Sequence, residues 1–224
     1  MHIVVTLRQQ KHLLTNFTIK MWLRGMLGSP HFQNMNRVRK LLTVLNKCKD
    51  AGFSPNSITV ACSLKACASI GDMKKGKELE FVIGRKGLLR SNLIIGNALI
   101  EMYSSLGLLD KAHEVFDKLS FQDVISWTVL IDGYIELGQS RKALYLYENI
   151  KFYGISPDVI TYCSALKACG NLGEIEKGEE IHAAIKSKGL LEDVEVAGSL
   201  VDMYAKCGSF GKAFHVIKEM SIQD

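Results

Sequence analysis

Cysteine thiols and the pair His113-Glu114 are the groups in this 224-residue chain best suited to chemistry. Thiolate and imidazole would hold zinc, and a neighbouring carboxylate would move the proton of a metal-bound water. Spacing decides against both. The six cysteines contain no Cys-x-x-Cys, and Cys62/Cys67 and Cys163/Cys169 leave four and five residues between them, outside zinc-finger spacing. The run HEVFD from His113 lacks the second histidine of a zinc-protease helix and is expected on a helix surface. No phosphate loop, nucleophile elbow or paired catalytic carboxylates can be read, so no enzyme, metal or cofactor is expected. Cys67 and Cys169 instead occupy equivalent places of an internal repeat, as small thiols buried in a reducing compartment would.

That repeat sets the elements. Residues 64–79, LKACASIGDMKKGKEL, and 166–181, LKACGNLGEIEKGEEI, agree at eight of sixteen positions, 102 residues apart. RKLLTVLNKCKDAGFSPN at 39–56 answers RKALYLYENIKFYGISPD at 141–158, and ALIEMYSSLGLLDKAHEVF at 98–116 answers SLVDMYAKCGSFGKAFHVI at 199–217. A finer period lies inside: Lys-Ala or Lys-Gly begins at 75, 111, 142, 177 and 212, in steps of 36, 31, 35 and 35. Periods of this length mark a solenoid.

Each unit reads as two helices. In 124–158, Val124, Trp127, Leu130, Ile131 and Tyr134 recur at three- and four-residue steps, and Ala143, Leu146, Tyr147 and Ile150 form a second stripe. Gly138 ends the first helix, Ser140 is placed to cap the second, and Ala143 is small where two axes should approach. Gly154 and Pro157 close the unit. Neither helix can bury its stripe alone, so neighbouring units must stack. The expected fold is all-α, a right-handed α-solenoid of tandem helix-turn-helix repeats of 31–36 residues.

The phrases LKAC, GNAL, LVDMYAKCGS and SWTVLIDGY carry a resemblance to the pentatricopeptide repeat. The alternating lengths resemble its PLS subclass, found mostly in plant organelle proteins. On that resemblance the motifs fall as L at 57–92, S at 93–123, P at 124–158, L at 159–193 and S at 194–224. A P remnant at 39–56 opens the array, behind a basic segment at 1–38 that holds a degenerate repeat helix. The tetratricopeptide pattern W-x-x-L-G-x-x-Y is missing. Long PLS members often end in E and DYW extensions, the latter resembling a zinc deaminase. Its His-x-Glu and Cys-x-x-Cys do not occur here, so a deaminase or other editing factor is expected in trans.

The resemblance implies a single-stranded RNA-binding module that reads one base per repeat, as a specificity factor in organellar C-to-U editing or other RNA processing. Its reading residues are the fifth and last of each motif. They map to Asn97 with Asp123, a combination associated with uracil, and Thr128 with Asp158, associated with guanine, giving a core 5′-UG-3′. Ala61 with Asn92 and Cys163 with Asp193 spell no clear base. Gly198 with Asp224 is weaker still, because Glu195 stands at its base-stacking position. Ile58, Ile94, Ile125 and Ile160 would sandwich bases, and Lys65 and Lys167 would meet phosphates. On spacing alone the isoleucines read as core, the lysines as solvated surface, and Asp123 and Asp158 as N-caps; one Asp can cap and orient at once.

Residues 1–49 hold nine Lys/Arg and no acid, which resembles an organellar transit segment, mitochondrial rather than chloroplast because serine is scarce. The remaining residues hold 19 bases against 23 acids, so bulk electrostatics do not mark a nucleic-acid binder. No apolar run is long enough to cross a bilayer, so no membrane partner is expected. A helical scaffold that holds a peptide, and a truncated, non-functional array, are the alternatives from other classes.

Overall fold

The computed structural model describes residues 57–221; the segments 1–38 and 39–56 and Asp224 lie outside the described residues. The chain divides into two compact units between Lys86 and Gly87. Every regular element is helical, and no strand occurs among the described residues.

In the first unit α1 (Ser57–Ile70) and α2 (Met73–Arg85) form a hairpin. Asp72 starts α2 by accepting the Lys75 amide at 3.0 Å. The second unit begins with a single turn, α3 (Leu88–Ser91). Four helix pairs follow: α4 (Leu93–Ser105) with α5 (Leu109–Lys118), α6 (Val124–Glu136) with α7 (Ser140–Ile150), α8 (Val159–Leu172) with α9 (Ile175–Ser187), and α10 (Val194–Lys206) with α11 (Phe210–Ser221). A 3-10 turn, Leu190–Glu192, joins α9 to α10. Helices α4, α6, α8 and α10 pack in file, each against the next. Behind them α5, α7 and α9 each touch the first helix of their own pair and that of the following pair. This two-layered file is the α-solenoid expected from the period.

Composition explains the layers. Helix α6, VISWTVLIDGYIE, is apolar round most of its circumference and buries Trp127, Leu130, Ile131, Tyr134 and Ile135. Helix α7 is amphipathic: Ala143, Leu146, Tyr147 and Ile150 are buried while Arg141, Lys142 and Glu148 face water. Gly138 takes a left-handed φ of 72° between them, and the Gln139 amide closes the turn onto the Tyr134 carbonyl at 2.8 Å. Ser140 does not cap α7. It is already the first helical residue and is buried, and its Oγ accepts from Asn171 Nδ2 of α8 at 3.2 Å, so the hydroxyl ties two repeats rather than one helix end.

Contacts between repeats are close and recurrent. At Gly133 a Cβ would stand 2.6 Å from Ser104 Cβ, so α4 and α6 approach at a distance only glycine permits. His113 keeps a partly exposed side chain, 39% open, but its Nδ1 also lies 3.1 Å from the Tyr134 hydroxyl, and His182 repeats the contact with Tyr204 at 2.9 Å. Second helices are linked by Lys177–Glu148 at 2.8 Å, Lys186–Glu219 at 3.2 Å and Lys212–Glu179. Pairs this exposed contribute at most about 1 kcal/mol each and fix register more than stability.

Two predictions follow from these contacts. Gly133→Ala should destabilise by roughly 1–3 kcal/mol through overpacking, visible as a lower melting temperature by circular dichroism, with partial recovery in the Ser104→Gly background. Burial holds the His182 imidazole below its usual range, and its Nε2 has no partner to accept a charge-bearing proton. The unfolded chain therefore binds that proton first. Its contribution to stability is complete above about pH 6.5 and is lost as pH falls toward the folded-state value. His182→Gln should flatten the fall in melting temperature between pH 7.5 and 5.

Candidate nucleic-acid interface

Each first helix of the second unit starts at a short polar side chain that accepts a backbone amide. Asp123 Oδ1 accepts from Ser126 N and Asp158 Oδ1 from Thr161 N, both at 2.8 Å. Asn92 accepts from Ile95 N at 3.3 Å, and Asp193 from Glu195 N and Val196 N at 2.9 and 3.2 Å. All four are N-caps.

At two junctions the cap does more. Ser126 Oγ lies 2.8 Å from both Asp123 Oδ1 and Asn97 Oδ1, so Asn97 is joined to Asp123 through one buried hydroxyl. Thr161 Oγ1 lies 2.6 Å from Asp158 Oδ1 and 2.7 Å from Thr128 Oγ1, and Thr128 in turn donates to the Val124 carbonyl at 2.8 Å. The polar residue inside one first helix is thus tied to the acid that opens the next. Asn97 is half-buried, whereas Thr128 is only 6% exposed, and its hydroxyl is engaged within the protein.

The other candidates are arranged differently. Ala61 is buried, and Cys163 is half-buried with a thiol pushed up by burial. Gly198 is exposed, and a Cβ there would meet nothing within 4 Å. Where a hydroxyl stands at 126 and 161, apolar Ile95 and Val196 follow Asn92 and Asp193 and are fully buried. Ile58, Ile94, Ile125 and Ile160 are 49, 56, 53 and 53% exposed, so the core reading that spacing suggests does not hold for them. Lys65 and Lys167 are exposed.

A groove of about 470 Å³ runs over α6, α8 and α10, with Ile160, Cys163, Lys167, Glu195 and Gly198 on its walls. It also carries Asp132, Glu136 and Asp202. Burial pushes the Asp132 carboxyl up, opposed by the hydrogen bond from Ser164 Oγ. Asp202 is paired with Lys206 at 2.7 Å. No group of three metal-ligating side chains converges among the described residues.

Comparison with known proteins accounts for this file of helix pairs. The model of the PPR repeat family matches residues 122–171, and that of the PPR repeat matches 97–121, 160–190 and 196–222, together more than half of the chain. The chain belongs to the pentatricopeptide repeat family. A chloroplastic pentatricopeptide repeat-containing protein of Arabidopsis thaliana is 36% identical over 199 residues, 88% of this chain and 38% of that protein. DOT4, chloroplastic, from the same plant, is 37% identical over 76% of this chain and 20% of its own length. Among solved structures, PPR10 in complex with an 18-nt psaJ RNA element aligns over 93% of this chain and 32% of its own, with a TM-score of 0.64 at 21% identity, a likeness of fold. The chain therefore spans between about a fifth and two fifths of the length of these relatives.

Within these pentatricopeptide repeats, sequence reasoning missed Ser126 and Thr161. A signal was present: each stands three residues after a motif-ending Asp, as Asp123-x-x-Ser126 and Asp158-x-x-Thr161, 35 residues apart. Its cap component was read, but a hydroxyl that also reaches the preceding helix cannot be inferred from one helix. The cysteines give a checkable contrast. Burial, with lesser contributions from nearby ionisable groups, pushes Cys67 and Cys169 up to about 12. Maleimide labelling at pH 8 should therefore modify Cys62, Cys163 and Cys207 well before either, as peptide mass mapping over time would show.

Proposed function

We propose that this chain is a non-catalytic module that binds single-stranded RNA, with successive bases meeting the open strip of the first helices. The observation that carries the reading is the paired geometry of Asn97 with Asp123 and Thr128 with Asp158, each joined through one hydroxyl. Half-exposed Ile94, Ile125 and Ile160 beside these groups supply the flat apolar contacts that stacked bases favour. The RNA bound by PPR10 supports the ligand class by analogy of fold. The repeat lengths fit the PLS subclass, and the reading pairs fit a 5′-UG-3′ core. The chloroplastic relatives support an organelle, chloroplast or mitochondrion, as the place of action. There the module would direct an editing or processing step whose catalyst, such as a deaminase, is supplied in trans.

A second reading, a scaffold for a basic peptide, is favoured by the carboxylates Asp132, Glu136, Glu195 and Asp202 in the groove over α6, α8 and α10. Gel-shift titration separates the two. A single strand carrying UG should bind more tightly than the same strand carrying CA, and binding should weaken only shallowly with salt, because few lysines line the groove. Equal binding of both strands would remove base reading. Binding of a polylysine-type peptide but of no RNA would favour the scaffold.

A further inference from the structure

Proton counting at the two hydroxyl-linked junctions goes further than the pairing of motif residues, and it rests on the base-reading function proposed above. Ser126 has one hydroxyl proton and two oxygens at 2.8 Å. An ionised carboxylate can only accept, so the proton goes to Asp123. A carbonyl oxygen of Asn97 facing the same hydroxyl would then be opposed lone pair to lone pair. The two ends of an amide are chosen by the hydrogen-bond network, and this network requires Nδ2 to face Ser126 and Oδ1 to face outward.

The second junction obeys the same rule. Thr161 donates to Asp158, its shortest contact at 2.6 Å. The single proton of Thr128 then goes to Thr161 Oγ1 or to the Val124 carbonyl, both inside the protein. Either way Thr128 has no proton left to donate to a ligand. Ser126 and Thr161 are both fully buried, so no water competes for these protons.

We propose that Ser126 and Thr161 are positioning residues that fix the polarity of base reading. Anchored on the carboxylate, each hydroxyl takes up the inward donor of Asn97 or Thr128: half-buried Asn97 is left with an acceptor facing outward, and Thr128, 6% exposed, is left with no donor to offer a base. Such sites take bases whose Watson–Crick edge carries an imino N–H, as uracil and guanine do at N3 and N1. They reject cytosine and adenine, which present a lone pair there. At the junctions opened by Asn92 and Asp193, where Ile95 and Val196 replace the hydroxyl, no polarity is set.

The test uses the full chain and four single strands that differ only at two adjacent positions, UG, CG, UA and CA, with affinities from fluorescence anisotropy. Ser126→Ala should cut the preference for U over C by roughly five- to tenfold, about one hydrogen bond, and leave G over A unchanged. Thr161→Val should do the reverse. Ser126→Thr and Thr161→Ser should keep both preferences. The backbone amides of 126 and 161 still cap their helices in every variant, so the chain should stay folded, with a lower melting temperature in Ser126→Ala and Thr161→Val because a buried hydrogen-bonding hydroxyl is lost. Undiminished preferences in both Ala and Val variants overturn the relay while base reading stands. An equal loss on all four strands shows a merely structural role and also overturns it. Failure of the unaltered, folded chain to bind any strand overturns base reading and the relay together.

Discussion

The first helices α4, α6 and α8 have almost no charged face to offer to water, and that constraint organises the rest. Helix α6 must be covered by α4 before it, α8 after it and α7 behind it. Three covered sides leave one strip, and its members fall at helical spacing: Ile125, Val129, Asp132 and Glu136. The same strip on α8 holds Ile160, Cys163 and Lys167, and on α10 Glu195, Gly198 and Asp202. The groove wall is thus whatever stacking leaves uncovered. The strip starts, on each helix, beside the cap that opens it.

Much of this could be read from the chain. The apolar stripes of 124–134 and 143–150 locate two helices because burial on several sides demands continuous apolar spacing, and the 102-residue echo demands stacking. The fifth positions could be named, but their environments could not. Thr128 and Asn97 are both short and polar, yet one is sealed under Thr161 and the other is half open. That difference depends on the neighbouring helix, which local pattern does not describe. Ser140 differs from its expected role for a related reason: a serine one residue inside a helix start has the composition of a cap without its geometry. His113 is partly exposed as a helix-surface residue should be, yet its contact with Tyr134 belongs to the next repeat and is not legible locally.

Charge along the strip bears on how a polyanion could lie there. The isoleucines and the proposed reading groups lie near the helix starts, whereas Asp132 and Asp202 stand seven residues beyond Ile125 and Glu195. Seven helical residues span about 10 Å, which exceeds the roughly 8 Å Debye length at physiological salt. Carboxylates two turns along therefore repel a strand held at the first turns only weakly. Glu195 has no such separation. It sits in the first turn of α10, where the other strips carry isoleucine, so this repeat is hostile to phosphate as well as short of a reading side chain.

Capping and reading are also separable in this architecture. A cap needs only a carboxylate or amide oxygen and a backbone N–H, and all four second-unit junctions with a described opening residue keep both. The hydroxyl that extends a cap into the preceding repeat is an additional part. With Ile95 or Val196 in its place the helix start is still capped, and an apolar side chain is buried there with no polar group to satisfy. On the proposed base-reading function, an array built this way can silence individual positions without breaking the stack, because capping and the contacts that hold repeats together do not depend on the hydroxyl.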